Sequence, residues 1–430
     1  MDIQAVKGTR DFYPEDMAKR NFIANLWKEV SLRNGFVEFD GPIFEYLKMY
    51  QQKSGDEIAS QLFAFEDRGG RMLAIRPEIT PTLARMVNQR INTLPRPIKW
   101  FSIPRLCRAE RPQKGRLREF FQWNIDIIGV DDCLADAEVI FCSVDFLMQA
   151  GLSSSDIVVR ISSRRLIAAM LEYFGVEKEQ LEKVYGVLDK KSKIPKETFE
   201  KMLEEAIVDA AKRKRVLELM SVGSLEQLES FAGSDSKAKD AIDGLKKLFE
   251  YLNLMGITEF CRFDISIVRG LAYYTGIVFE IYNKSEQLRA ICGGGRYDNL
   301  LSDFGGPKIS ATGMGMGDCV LGIVLEEKGL LKETSENKIE YFVAYADDAL
   351  QSEAVKLIAK LRRRGFKTDF SYKGGSLGKQ LKQASVQEAI KCIIIGQEWT
   401  QKGEYLIKDM NSGNQEAIAA NEFLGRLGKG

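Results

Sequence analysis

The sequence of 430 residues predicts an α+β protein: an antiparallel sheet with flanking helices, a helical insertion, and a C-terminal α/β domain. Three observations carry this reading. Strand-like text at 98–107 and 119–129 brackets one charged loop, 108–118, as in a long antiparallel hairpin. Residues 166–250 are rich in Lys, Glu and Leu and poor in strand signals. Beyond 338, strand and helix patterns alternate, which marks a separate small α/β domain.

A helix is expected over 15–34, after Pro14, because Ile23, Leu26, Trp27 and Val30 recur at helical spacing and Gly35 follows as a stop. Phe36 to Phe39 reads as a strand. In the insertion, Ile242, Leu245, Leu248 and Leu252 form an amphipathic stripe. Strand patterns resume at 261–281. Glycine-rich turns are expected at Gly293 to Gly295 and at Gly313, Gly315 and Gly317, before an apolar helix at 319–327. Residues 332–338 read as a polar linker. Strands at 341–344, 368–371 and 391–395 then alternate with helices at 354–364 and 376–384. The domain boundaries follow as 1–165 and 251–331 for one discontinuous domain, 166–250 for the insertion, and 338–430 for the tail.

Composition narrows the chemistry. Lys plus Arg number 62 against 61 Asp plus Glu, so any nucleic-acid contact must come from local clusters. No apolar run is long enough to span a bilayer, and the N-terminal text lacks the apolar core of a secretory signal. Seven scattered cysteines form no CxxC pair, which points to reduced thiols in a cytosol and away from structural zinc. The chain contains no histidine. A Ser-His-Asp triad, a histidine base and a His-ligated metal are excluded. Carboxylates, arginines, tyrosines and bound ions must carry any chemistry.

Three constellations stand out. Alternation along 116–126 puts Arg116, Arg118, Phe120, Gln122, Asn124 and Asp126 on one face and Phe121, Trp123, Ile125 and Ile127 on the other. Arginine can stabilise phosphate charge, phenylalanine can stack on a base, and an amide and a carboxylate can orient a small polar ligand. The plain alternative is an edge strand with a solvated face. In Arg76-Pro77-Glu78-Ile79-Thr80, Glu78 and Thr80 can share one face of an extended segment and hold an ammonium group. In Arg269 to Gly276, an arginine and the paired Tyr273 and Tyr274 suggest a binding wall, against the alternative of an aromatic core pair. The glycines at 313, 315 and 317 lack Rossmann spacing, and no GxxxxGK[ST] loop exists.

Lys7 to Asp11, Arg108 to Arg116, Arg269 to Gly276 and Gly294 to Asp298 together resemble the histidyl-tRNA synthetases, in the family's order and along the whole catalytic region. The 269–276 stretch resembles the histidine-specific signature. The 108–118 loop resembles motif 2 of class II synthetases. Val187 to Lys193 is similar to the archaeal and eukaryotic branch, and the tail resembles the anticodon-binding domain of class IIa enzymes. The resemblance implies a class II catalytic domain that uses histidine, ATP with Mg2+, and tRNA(His), in a cytoplasmic homodimer with no membrane contact. Its motif 1 would be the 15–46 region.

By the same resemblance, Arg108 and Glu110 handle the α-phosphate and adenine, Arg116 joins the phosphate group, and Phe120 stacks on adenine. Glu78 and Thr80 hold the histidine ammonium with Gln122 beside them. Asp126 and Tyr274 read the imidazole, and Tyr273 lines the pocket. Arg269 contacts the α-phosphate and the histidine carboxylate, so that Arg269 and Arg108 are the catalytic cations. Arg111, Gln113 and Lys114 meet the tRNA acceptor end. No protein metal ligand is identified. One departure is Val320, in the slot where many class II enzymes have the motif 3 arginine. A non-catalytic regulatory subunit of ATP phosphoribosyltransferase resembles the same domain; the tail and the text around Arg269 and Tyr274 favour the enzyme. For such an enzyme the lack of histidine also has a use, since its own synthesis would not stall when histidyl-tRNA runs short.

Overall fold

The structure is a computed structural model that describes residues 4–51, 61–191, 194–269, 273–285, 287–331 and 338–427. The chain divides into two compact units, residues 1–332 and 333–430. The expected linker falls mostly outside the described residues, as do Gly270 to Ala272 of the third constellation and Ser192 and Lys193 of the 187–193 stretch.

In chain order the first unit contains β1 (Val37–Glu38), β2 (Phe44–Tyr46), β3 (Phe63–Glu66), β4 (Met72–Ile75), β5 (Ile98–Ser102), β6 (Arg105–Cys107) and β7 (Glu119–Ile128). There follow β8 (Ile157–Ser163), β9 (Cys261–Phe263), β10 (Ile277–Asn283), β11 (Cys292–Tyr297) and β12 (Ala311–Gly317). The main sheet runs β1-β5-β7-β12-β11-β10-β8-β9, with β6 also pairing β7; β2, β4 and β3 form a small separate sheet. The core of the main sheet is antiparallel, and parallel pairs occur at its two ends, β1 with β5 and β8 with β9.

The sequence hairpin is present, but its first strand is broken. Pro104 cannot donate to a ladder, so β5 stops at Ser102 and β6 resumes at Arg105, with the Pro104 carbonyl accepting from Gln122 N. The expected glycine turns are a correction. Gly293 to Gly295 lie inside β11 and Gly313 to Gly317 inside β12, paired with each other across the centre of the sheet. Glycine is usually weak in a strand, which is why it reads as a turn; within a sheet it marks a place where something approaches the backbone closely.

One face of the sheet is core. Phe121, Trp123, Ile125 and Ile127 of β7 are buried with Met314 and Met316 of β12 and Phe279 and Ile281 of β10. The helix Pro14–Arg33 closes this face through Trp27, whose ring stacks on Trp123 at 6.3 Å, while Trp123 Nε1 donates to Ser31 Oγ at 2.8 Å. The helix Cys133–Gln149 packs beside them through Phe146.

Between β8 and β9 the chain is helical, from Arg164–Tyr173 to Ser236–Leu254. Ser163, Asp209, Ser224 and Asp235 cap four of these helices with their side chains. The stripe Ile242, Leu245, Leu248 and Leu252 is buried, and its apolar core is continuous with that of the sheet.

The second unit contains β13 (Tyr341–Tyr345), β14 (Thr368–Phe370), β15 (Lys391–Ile395), β16 (Glu404–Asp409) and β17 (Gln415–Ala419), ordered β14-β13-β15-β16-β17. The first three are parallel, with the helices Gln351–Arg363 and Leu377–Val386 in the crossovers. The antiparallel β16 and β17 extend the sheet beyond the last strand expected from sequence. Buried Gln380 ties the parallel strands to a loop, donating to Tyr345 O and Gly375 O and accepting from Tyr345 N.

Arg296 shows how the first unit is fastened. On β11 it points to the core face, and its guanidinium donates to Asp136 Oδ2 at 2.7 and 2.9 Å and to the carbonyls of Val130 and Asp132. Burial raises the Asp136 pKa, and Arg296 opposes the shift by charge and hydrogen bonding. Removing one partner of such a pair leaves a buried charge uncompensated, at about 3–5 kcal/mol. Arg296→Met should therefore lower the stability of this unit by that order in urea denaturation. An unchanged midpoint would show that the staple contributes nothing.

Candidate active site

The site is built on the sheet face opposite the core. Phe120, Gln122, Asn124 and Asp126 alternate along β7, which is central, between β5 and β12. The solvated-edge alternative therefore fails. Arg116 and Arg118 belong to the loop and not to the strand. Register places Gly313 opposite Asp126, Gly315 opposite Asn124, and Gly293 opposite Gly315. A Cβ at Gly313 would overlap the Asp126 carboxylate, one at Gly315 would press on the Gln122 amide, and one at Gly293 would overlap the Arg269 guanidinium. The glycines are a floor on which longer side chains lie.

At one end of this floor the groups are buried and acidic. Asp126 is 2% exposed. Its Oδ1 accepts from Tyr297 Oη at 2.5 Å, and its buried Oδ2 has no hydrogen-bond partner among the described residues. Burial pushes the Asp126 pKa up to about 7; the Tyr297 hydroxyl opposes the shift and the negative charge of Glu78 adds to it. Glu78, also buried, accepts from Tyr273 Oη at 3.0 Å. The rings of Tyr273 and Tyr274 pack 5.0 Å apart, and Tyr273 meets Tyr297 edge-on. Thr80 is a correction in geometry. It opens the helix Thr80–Arg90, after Ile79 in helical conformation, so Glu78 and Thr80 do not share an extended segment. Gln122 is only half-buried, and Asn124 is turned onto the Gln122 carbonyl.

Arg269 lies over the middle of the floor. Its guanidinium stands 5.7 Å from the Tyr274 ring centre and donates from Nη1 to Glu280 Oε1 at 2.5 Å. Despite burial, the Tyr274 and Glu280 oxygens hold it firmly protonated.

The hairpin 108–118 forms the other end. Arg108 lies over the Phe120 ring at 5.3 Å and donates from Nε to Pro77 O. Buried Glu110 is ion-paired with Arg116, and Arg118 Nε donates to the Glu110 carbonyl. Gln113 and Arg116 bond to each other by backbone around Gly115, whose φ of 75° suits glycine. Arg111, Gln113 and Lys114 are exposed at the tip. Val320 is buried under this turn, with its Cγ2 3.0 Å from where a Gly115 Cβ would sit, so it supports the loop.

Taken together, the floor offers a buried acceptor at one end, an arginine in the middle, and a ring flanked by arginine at the other. That suits an extended ligand with an N–H donor, an anionic centre and a planar base.

The family model described as histidyl-tRNA synthetase matches residues 8–317, and the anticodon binding domain model matches 323–429. The chain belongs to the histidyl-tRNA synthetase family. The chloroplastic/mitochondrial histidine–tRNA ligase of Arabidopsis thaliana is 41% identical over 98% of this chain and 86% of its own length. The histidine–tRNA ligase of Pyrococcus horikoshii is 38% identical over 99% of this chain and 98% of its own. Among solved structures, a histidyl-tRNA synthetase from Nostoc shares the fold with a TM-score of 0.79 at 22% identity, each chain 99% covered. A Bacillus halodurans protein described as an ATP phosphoribosyltransferase regulatory subunit/histidyl-tRNA synthetase has a TM-score of 0.76 at 25% identity, over 92% of this chain and 99% of its own.

Sequence reasoning missed three features of the site: the glycine floor, Tyr297 and Glu280. Tyr297 was within reach, because it stands two residues beyond Gly295 in a quoted motif and shares its face. Glu280 could have been noticed as a lone carboxylate among β-branched and aromatic residues.

A raised Asp126 pKa has a sign that can be tested. An unfolded aspartate ionises near 4, so between about 4 and about 7 the folded state binds the extra proton. That contribution to stability is full at low pH and is lost as pH rises through about 7. Asp126→Asn removes the charge and keeps the shape. The ligand-free variant should gain Tm over the parent at pH 8 and show little gain at pH 5. A gain that shrinks with rising pH would contradict the assignment.

Proposed function

We propose that the chain activates histidine with ATP to histidyl-adenylate and transfers the histidyl group to the 3′ end of tRNA(His). The observation that carries this is the buried Asp126, with one carboxylate oxygen held by Tyr297 and the other left without a donor. An imidazole N–H supplies that donor, and amino acids without one leave the acceptor unpaired, which is costly. Tyr274 faces the second ring nitrogen. Glu78 and Gln122, with Thr80 at the helix start beside them, take the ammonium end, and Tyr273 holds Glu78.

The chemistry needs no protein nucleophile. A histidine carboxylate oxygen attacks the α-phosphorus, and the bond to pyrophosphate breaks. The terminal ribose hydroxyl of the tRNA then attacks the acyl carbon and releases AMP. Arg269 and Arg108 lower the barrier by lying where charge grows on the α-phosphate. Phe120 stacks on the adenine, Glu110 meets its edge, and Arg116 joins the contacts to the phosphates. Among the described residues no group of three acidic or cysteine side chains could hold a metal ion. Mg2+, where bound with ATP, would supply neutralisation of charge on the phosphates.

The exposed hairpin tip, Arg111, Gln113 and Lys114, is suited to the tRNA acceptor end, and the second unit to the anticodon. A homodimer is supported by the small sheet, where Phe44, Tyr46, Phe65 and Met72 are all exposed and Phe44 meets Phe65 at 6.2 Å. A cytoplasmic setting is supported by seven free cysteines, and no helix among the described residues is long and apolar enough to cross a membrane.

Two measurements test this reading. In pyrophosphate exchange, Asp126→Asn should raise the histidine KM strongly and leave the ATP KM almost unchanged. Equal impairment of both would make Asp126 a structural acid only. A chain ending near residue 330 should still activate histidine and charge tRNA poorly. Equal charging by the shortened protein would contradict the role given to the second unit.

A further inference from the structure

Arg269 combines two features that require support. Its φ is 63°, and the only other non-glycine residue with positive φ among those described is Glu388. Such a conformation is strained and persists only where the surroundings hold it. Its side chain is only 18% exposed, and the buried Nε has no hydrogen-bond partner among the described residues.

Glu280 is the group that answers both. It stands on β10 directly opposite Gly293 and beside Arg160 of β8, on the ligand side of the sheet. One oxygen takes Arg269 Nη1 at 2.5 Å. The other takes the Tyr282 hydroxyl, two residues along the same strand face. Tyr282 is covered in turn by the Arg160 guanidinium, 4.8 Å from its ring centre. Below the guanidinium, Gly293 leaves the space it occupies. Glu280 is thus fixed by its own neighbours before it fixes Arg269.

We propose that Glu280 is a positioning residue for Arg269: by holding one edge of the guanidinium over the Gly293 floor, it aims the remaining donors at the anionic centre of the ligand. This rests on the adenylation reading above. Glu280 touches no substrate in this account. It supplies the counter-charge that lets a cation wait in a buried site, and it fixes the plane of the fork. The bond it makes uses only Nη1, so the donor capacity of Nε stays available. The ammonium of a lysine could pair with Glu280 but could not present a second donor at a fixed angle.

The test is a double-mutant cycle in the full chain, read by histidine-dependent pyrophosphate exchange. Glu280→Ala should lower kcat by about tenfold to a hundredfold, the range for a misplaced catalytic group, and change the histidine KM by less than about twofold. Glu280→Gln keeps an acceptor for Nη1 and should fall between Glu280→Ala and the parent. Arg269→Lys alone should lose about a hundredfold. In that background Glu280→Ala should cost almost nothing more. Losses that multiply, or a Glu280→Ala effect confined to KM, would overturn the proposal. A parallel cycle with Arg269→Met, which unlike lysine cannot pair with Glu280, is then unfolded without substrate. The 269–280 pair should show a coupling in stability; its absence would overturn the positioning claim whatever the activity. A parent chain that shows the coupling but no exchange with histidine would instead sink the adenylation reading.

Discussion

Gly293 and Gly295 on β11 stand against Gly315 and Gly313 on β12, and the missing side chains at these four positions are what the site rests on. A sheet face normally carries a side chain at every second residue. With none here, Asp126, Gln122 and Arg269 can lie across neighbouring strands, and a ligand can come within reach of the sheet. The strand glycines cost conformational entropy, of order 0.5–1 kcal/mol each. The opposite face offsets this, because Trp123, Ile125, Met314, Met316 and Phe279 are buried against the helices.

The same strip explains why so many ionisable groups can be buried. Each is matched by a group from another part of the chain: Asp126 by Tyr297, Glu78 by Tyr273, Arg269 by Glu280, and on the core side Asp136 by Arg296. Removing water strengthens these pairs, and it also makes any unpaired atom expensive. Asp126 Oδ2 and Arg269 Nε are such atoms. Among the described residues neither has a partner, which is what a site complementary to a ligand requires. Tyrosine carries much of this network, as it must in a chain that contains no histidine.

Much was legible beforehand because alternation is a local signal. The division of β7 into a core face and a polar face followed from side-chain period alone, as did the helix Pro14–Arg33 and the stripe from Ile242 to Leu252. Glycine misled for a local reason too. Its text is the same in a turn and in a strand that makes room for other residues, and only pairing tells them apart. Thr80 failed similarly, since a two-residue offset from Glu78 implies one face only if the segment is extended, and the helix begins there.

The sequence by itself determined the class of the protein, its two-part organisation and the residue types available for chemistry, because motif order, composition and periodicity are written along the chain. Only the tertiary structure decided that Arg269 answers to Glu280, that Asp126 is held by Tyr297, and that Val320 supports the turn at Gly115. Those pairs lie 11, 171 and 205 positions apart or are set by strand order. Their chemistry depends on burial and on which strands are neighbours, and neither quantity exists until the sheet has closed.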